Sequence, residues 1–228
     1  MFVGEVLNFC EKIGYIIDNP IRSFVIDSRL VTQGDCFICF KGKNTDGHKF
    51  IEDAILKGAS LIVASDPAEA SKFRNRTNIA LCKDPVNFLQ QCAHYRRKKL
   101  NATFVTITGA VGKTTTKEFT RNLLEQKFSV FATPKNENNL LGVSLSLLNM
   151  PLTTQIAIIE TGTNHFGEVG ELTKLVKPHG TITTAIAPSH LEFFKTTEGV
   201  LLAETEQISW FQNRSGFWCI NFDDKFLR

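Results

Sequence analysis

The sequence has no long apolar run. A helix needs about 20 mainly apolar residues to cross a bilayer, and no stretch here approaches that, so no membrane partner is expected. The start, Met1-Phe-Val-Gly-Glu-Val6, lacks the basic segment followed by an apolar one that marks a secretory leader. Charge of one sign is also lacking. Lys and Arg number 26 against 23 Asp and Glu, a formal net charge of +3, too little to point to nucleic acid. The one dense basic run, Arg96-Arg97-Lys98-Lys99, closes a helical stretch. Cations suit the negative end of a helix dipole, so the run reads as a solvated helix end rather than a binding patch. There is no internal repeat and no low-complexity segment.

A second cysteine pair is missing too. Cys36 and Cys39 form a C-x-x-C, but nothing at zinc spacing accompanies them. They sit in Asp35-Cys-Phe-Ile-Cys-Phe-Lys41, which reads as a buried strand. Residues three apart in a strand point to opposite faces, so both are expected to be core cysteines. Cys10, Cys82, Cys92 and Cys219 are scattered. Free thiols fit a reducing cytosol, and a cytoplasmic location is expected.

What is present is ordinary globular composition, 43% hydrophobic and 21% charged over 228 residues. That length suggests one large domain or two small ones and can bury a core without staples. Strand-like and helix-like runs alternate, the pattern of a parallel sheet with covering helices. Strands are expected at 23–27, 36–41, 61–64 and 79–82, and helices at 47–57 and 86–99. The pattern restarts near residue 100, with strands at 103–108, 155–160, 181–186 and 216–222 and helices at 114–126, 167–176 and 197–209. The expected fold is α/β: a small N-terminal α/β domain over 1–100, then over 101–228 a partial P-loop-type, doubly wound and mostly parallel sheet. The strand at 216–222 is expected to be buried. A doubly wound sheet that stops soon after it reads as a fragment or a truncated gene product.

The strand at 103–108 runs into Gly109-Ala110-Val111-Gly112-Lys113-Thr114 and then a helix. Glycine lets backbone approach phosphate oxygens, and the free N–H groups and dipole of a helix start favour anions. Lys113 would reach the β and γ phosphates of a nucleoside triphosphate, and Thr114 would offer its hydroxyl to Mg²⁺. The usual loop has four residues between its glycines. Here two separate Gly109 from Gly112, and Ile107 stands where the usual first glycine would fall. The competing reading is a glycine turn with an incidental Gly-Lys-Thr; the strand before and the helix after weigh against it.

At this point the sequence resembles a family. Thr108-Gly-Ala-Val-Gly-Lys-Thr-Thr-Thr-Lys117 resembles the shortened ATP loop of the Mur ligases, the amino-acid-adding enzymes of peptidoglycan synthesis. Asp27-Ser-Arg29, Gly34-Asp-Cys-Phe37, Gly42 and Asp46-Gly-His-Lys-Phe-Ile51 resemble the N-terminal domain shared by the two later ligases. Asn136-Glu-Asn-Asn139 with Gly142-Val143 is similar to an asparagine-rich substrate motif. Glu160-Thr-Gly162, and Ser189-His-Leu-Glu192 with Phe194 and Glu198-Gly199, resemble two metal segments. The asparagine motif with His-Leu-Glu is most like the member that joins D-alanyl-D-alanine to UDP-N-acetylmuramoyl-tripeptide.

The resemblance implies an ATP- and Mg²⁺-dependent, ADP-forming ligase working through an acyl phosphate. It implies that Gly109, Gly112, Lys113, Thr114 and Thr115 bind ATP, and that Thr114 and Glu160 hold a first Mg²⁺. It implies that His190 is a ligand for a second metal. Ser28 and Arg29 would lie by the nucleotide sugar, although Arg29 could equally pair with Asp27. Asn136, Asn138 and Asn139 would meet substrate amides or hydroxyls, although asparagine also favours turns. Asp46 is expected to be a cap, and His48 is given no catalytic role. One position departs from the family. Glu204 stands where a carbamylated lysine is usual, fourteen residues after His190. Either Glu204 supplies a carboxylate directly, as a catalytic residue, or it is a solvated helix residue at a decayed site.

The family has three domains, and the resemblance covers the first and about half of the second. A missing C-terminal domain is therefore expected, and the chain alone is expected to be inactive. The neighbouring ligase that adds the third peptide residue is the runner-up. Folylpolyglutamate synthetase shares the loop but lacks the Asp-Ser-Arg domain. A non-catalytic nucleotide-binding remnant is the reading from another class.

Overall fold

The computed structural model describes residues 1–13, 17–42, 45–135 and 137–228. The chain forms two compact units, Met1–Arg96 and Arg97–Arg228.

In the first unit, α1 (Val3–Val6) leads to β1 (Glu11–Ile13), β2 (Phe24–Val25) and β3 (Cys36–Ile38). Then come α2 (Ile51–Leu56), β4 (Leu61–Ala64), α3 (Pro67–Ser71), β5 (Asn78–Leu81) and α4 (Pro85–Lys99). The strand order is β1-β5-β4-β3-β2, parallel except for β1, which runs antiparallel along β5. Every residue of β4 is buried, as expected of a parallel strand covered on both faces. Phe37, Cys39, Ile51, Ala54, Ile62 and Ile79 share one core cluster. Cys36 is equally buried but outside that cluster, as the pleat requires of residues three apart.

The expected helix at 47–57 begins as a 3₁₀ turn, Gly47–Phe50, capped by Asp46. His48 is buried within it. Its Nε2 accepts the N–H groups of Ser65 at 3.0 Å and Asp66 at 3.1 Å, so the ring proton sits on Nδ1, which donates to Asp46 at 2.7 Å. His48 ties the turn to the segment after β4, and both ring nitrogens are occupied in doing so.

In the second unit the chain runs β6 (Thr103–Thr108), α5 (Lys113–Leu124), β7 (Val130–Ala132), α6 (Leu140–Asn149), β8 (Ile156–Glu160) and α7 (Glu168–Val176). It continues through β9 (Gly180–Thr183), α8 (Leu191–Phe194), α9 (Thr197–Glu204), α10 (Ile208–Phe211) and β10 (Phe217–Ile220). All pairings are parallel, in the order β10-β9-β6-β8-β7. From β6 the chain goes out to β7 at one edge, returns to β8 beside β6, and then crosses to β9 and β10 on the other side. Ligands of such sheets bind beyond the carboxyl ends of the strands where that reversal occurs.

Three expectations are corrected. The strand expected at 181–186 ends at Thr183. The helix expected at 197–209 breaks after Glu204 and resumes as α10. The last strand is exposed, not buried: Phe217 keeps 50% and Trp218 41% of its surface open. Apolar composition alone suggested a core strand, but β10 lies at the edge of the described sheet and pairs only with β9. Among the described residues no helix is long and apolar enough to cross a membrane.

Candidate phosphate-loop site

The loop begins where β6 ends. Gly109 has φ of 126° and Gly112, the N-cap of α5, has φ of 84°, backbone that side chains disfavour. A Cβ on Gly109 would collide with Thr184 Oγ1. The loop is pinned on that side by the segment after β9. Ala110 N–H donates to Ala185 O at 2.8 Å, and Thr184 Oγ1 donates to Val111 O at 2.6 Å. The first N–H groups of a helix have no acceptor inside it, so α5 points orphan donors at the loop. Lys113 folds back, its Nζ donating to Gly109 O at 2.5 Å. Thr115 lines a cleft of 340 Å³ with Thr114, Glu118, Phe119 and Asn122.

Glu160 closes β8 and is buried. Thr114 Oγ1 lies 3.0 Å from its Oε2 and 3.1 Å from its Oε1. Asn138 Nδ2 donates to Oε1 at 3.3 Å, and the backbone of Glu160 donates to Thr133 Oγ1. A third partner escaped the sequence reading. Lys117 has no exposed surface, its Nζ donates to Thr133 O at 2.8 Å, and it lies 3.3 Å from Glu160 Oε2. The available signal was its place one turn beyond Lys113, on the helix face that carries Thr114 toward the sheet.

Glu204, the last residue of α9, is not a solvated helix residue; it keeps 2% of its surface. Its Oε2 accepts the Gly109 N–H at 2.8 Å and the hydroxyl of Thr108. His190 stands apart. It is half-exposed, has φ of 49°, and its nearest charged partner is Glu192 at 3.9 Å. Among the described residues no group of three or more metal-ligating side chains forms.

The asparagines divide. Asn138 reaches Glu160, and its carbonyl accepts the Gly162 N–H at 2.8 Å. Asn139 caps α6, accepting the Gly142 N–H at 2.9 Å. Asn136 lies outside the described residues. In the first unit, Ser28 is buried and its carbonyl accepts from Lys57 Nζ at 2.8 Å. The exposed Arg29 forks onto Asp27 at 2.6 Å, and this guanidinium holds the Asp27 carboxyl down at about 2. Asp27, Ser28 and Arg29 line a pocket of 560 Å³ together with Phe37, Phe40 and Phe50.

A parallel sheet whose first strand feeds a Gly-x-x-Gly-Lys-Thr loop into a helix defines a phosphate-loop protein. Comparison with known proteins narrows this. The Mur ligase middle domain matches residues 107–228, and the Mur ligase family, catalytic domain matches residues 20–96. The chain belongs to the Mur ligase family.

It is 41% identical over 196 residues to the UDP-N-acetylmuramoyl-tripeptide–D-alanyl-D-alanine ligase of Rickettsia prowazekii (strain Madrid E), covering 85% of this chain and 43% of that protein. Its fold matches that of MurF from Acinetobacter baumannii with a TM-score of 0.86 at 28% identity, over 98% of this chain and 49% of that one. It matches MurF ligase from Thermotoga maritima in complex with ADP with a TM-score of 0.77 at 36% identity, over 89% and 46%. The chain spans about half the length of the relatives it matches.

Proposed function

We propose that the chain supplies the UDP-substrate-binding domain, residues 1–100, and part of the ATP-binding domain, residues 101–228, of a cytoplasmic ADP-forming ligase. The ligase joins D-alanyl-D-alanine to UDP-N-acetylmuramoyl-tripeptide in peptidoglycan precursor synthesis. The observation that carries this reading is the Thr114 hydroxyl set against the Glu160 carboxylate at the head of α5, beside a Gly-Lys-Thr loop.

The physical problem in such a ligation is charge, because an anionic carboxylate must approach an anionic phosphate. Positioning and electrostatic stabilisation have to supply most of the rate. Bound ATP would contribute the γ-phosphoryl group that turns the tripeptide carboxylate into an acyl phosphate open to the incoming amine. Lys113 would leave Gly109 O for the β and γ phosphates. Thr114 and Glu160 are hard oxygen donors already in contact, and Mg²⁺ needs only one or two such groups with phosphates and water; their chemistry fits the ion. Thr115, Gly109 and Gly112 would line the phosphates, and His190 would serve a second ion. Ser28 and Arg29 would face the uridine nucleotide, and Asn136, Asn138 and Asn139 the peptide portion.

The test is calorimetric titration with UDP-N-acetylmuramoyl-tripeptide, and separately with the dipeptide precursor, in the presence of Mg²⁺ and a non-hydrolysable ATP analogue. Tighter binding of the tripeptide is expected. Preference for the dipeptide would move the assignment to the ligase that adds the third residue. Binding of neither by the folded chain would overturn it in favour of a remnant.

A further inference from the structure

Glycine at φ of 126° has many alternatives open to it, so a loop that starts at Gly109 needs something to hold it. On one side Thr184 and Ala185 do so. On the other side the Gly109 N–H meets a single acceptor, Glu204 Oε2 at 2.8 Å, which also takes the Thr108 hydroxyl. A carboxylate is costly to bury and is tolerated only when hydrogen-bonded. Among the described residues no cationic side chain pairs with Glu204, so these two donors are what it is buried for. Bonds of this charge-assisted kind are among the stronger ones in proteins.

We propose that Glu204 is a positioning residue: its carboxylate anchors the Gly109 amide and so fixes the shape in which the loop receives nucleotide phosphates. It acts from the last turn of α9, through the loop backbone, rather than on the reacting atoms. The proposal rests on the reading of this loop as a nucleotide site.

A neighbour supplies the control. Glu206 lies two residues further on and accepts the N–H groups of Gly167 and Gly170, at the start of α7, at 2.5 and 2.9 Å. Removing Glu206 loosens the same stretch of chain without touching the loop.

The experiment uses the chain itself, with amide hydrogen exchange at Gly109 followed by NMR and the Kd for ADP with Mg²⁺ measured by calorimetry. Glu204→Gln retains an acceptor oxygen in place. It is expected to keep Gly109 protected and to bind ADP within a few-fold of the parent. Glu204→Ala and Glu204→Asp, the latter withdrawing the carboxylate by one methylene, are expected to speed Gly109 exchange and weaken ADP binding. The change should be about tenfold or more in each readout, the scale of one hydrogen bond to a charged group. Glu206→Ala should change neither. Unchanged Gly109 exchange in both the Ala and Asp variants, or equal effects from Glu206→Ala, would overturn the proposal. If the parent binds no ADP, the nucleotide reading fails, and the exchange rates still decide whether Glu204 anchors the loop.

Discussion

Lys117 Nζ lies 3.3 Å from Glu160 Oε2, and both side chains are shut off from water. Thr114 Oγ1 lies 3.0 Å from the same oxygen, so this ion pair supports the carboxylate that faces the phosphate loop; Lys117 Nζ also lies 3.4 Å from the half-exposed Glu118. Removing one partner of a buried pair strands the other charge. Lys117→Met is therefore expected to cost about 3–5 kcal/mol of stability. Adding Glu160→Gln to that variant should recover much of the loss, because the stranded charge is gone. Urea denaturation of the single and double variants checks this. A single variant as stable as the parent would show that the pair is not what holds Glu160.

The sheet around this pair was legible because buried parallel strands are nearly continuous apolar runs and the loop motif is local. Residues 103–108 and 155–160 were read almost to the residue, as β6 and β8 show. Several elements gave no such signal, β1, β7 and α6 among them. β1 is Glu-Lys-Ile on an exposed antiparallel edge, β7 is three half-buried residues, and α6 is buried on every side from Gly142 to Leu148, serines included, with no stripe to read. β10 departs from expectation for the opposite cause, an apolar segment that lies on an edge. At the site, the Thr114–Glu160 meeting is what the family resemblance implies. The roles of Lys117 and Glu204 are not, since each depends on which way a charged side chain turns from its helix.

The two loop glycines should respond differently to alanine. At Gly112 the nearest atom to an added Cβ is 3.8 Å away, so Gly112→Ala meets only backbone strain, about 1–2 kcal/mol. At Gly109 the same change adds a collision with Thr184 Oγ1 and close approach to Ala185. Gly109→Ala is expected to be clearly the more destabilising and to disturb the Thr184–Val111 hydrogen bond. Paired thermal melts separate the two, and equal losses would mean that the contact with Thr184 yields freely.

Asn139 offers a way to part structure from binding. As the N-cap of α6 it accepts the Gly142 N–H, so Asn139→Ala should cost about 1 kcal/mol, the usual value of a cap. Asn139→Asp keeps the cap and should keep stability. If Asn139 also meets the substrate, the Asp variant should lose affinity for UDP-N-acetylmuramoyl-tripeptide while melting with the parent. Parent-like binding by Asn139→Asp would confine this residue to the cap.

The Asp27–Arg29 fork makes a prediction about pH. The hydrogen bonds of the guanidinium first, then that of the Arg29 backbone N–H, and after them the guanidinium charge, lower the Asp27 carboxyl from 3.8 to about 2. A depressed acid stabilises the fold above its unfolded value, and that contribution fades as pH falls through the folded value. The window here therefore runs from about 4 down to about 2. Both groups are substantially exposed, and exposed pairs add little to stability, so the effect belongs in a site-specific titration rather than a melt. Following the Asp27 carboxyl carbon by NMR should give a midpoint near 2 in the parent. In Arg29→Ala the midpoint should rise toward 3.8, and added salt should move the parent the same way, since exposed charges are screened. A midpoint that ignores both changes would leave the backbone N–H of Arg29, which also donates to Asp27 at 3.0 Å, as the group that sets it.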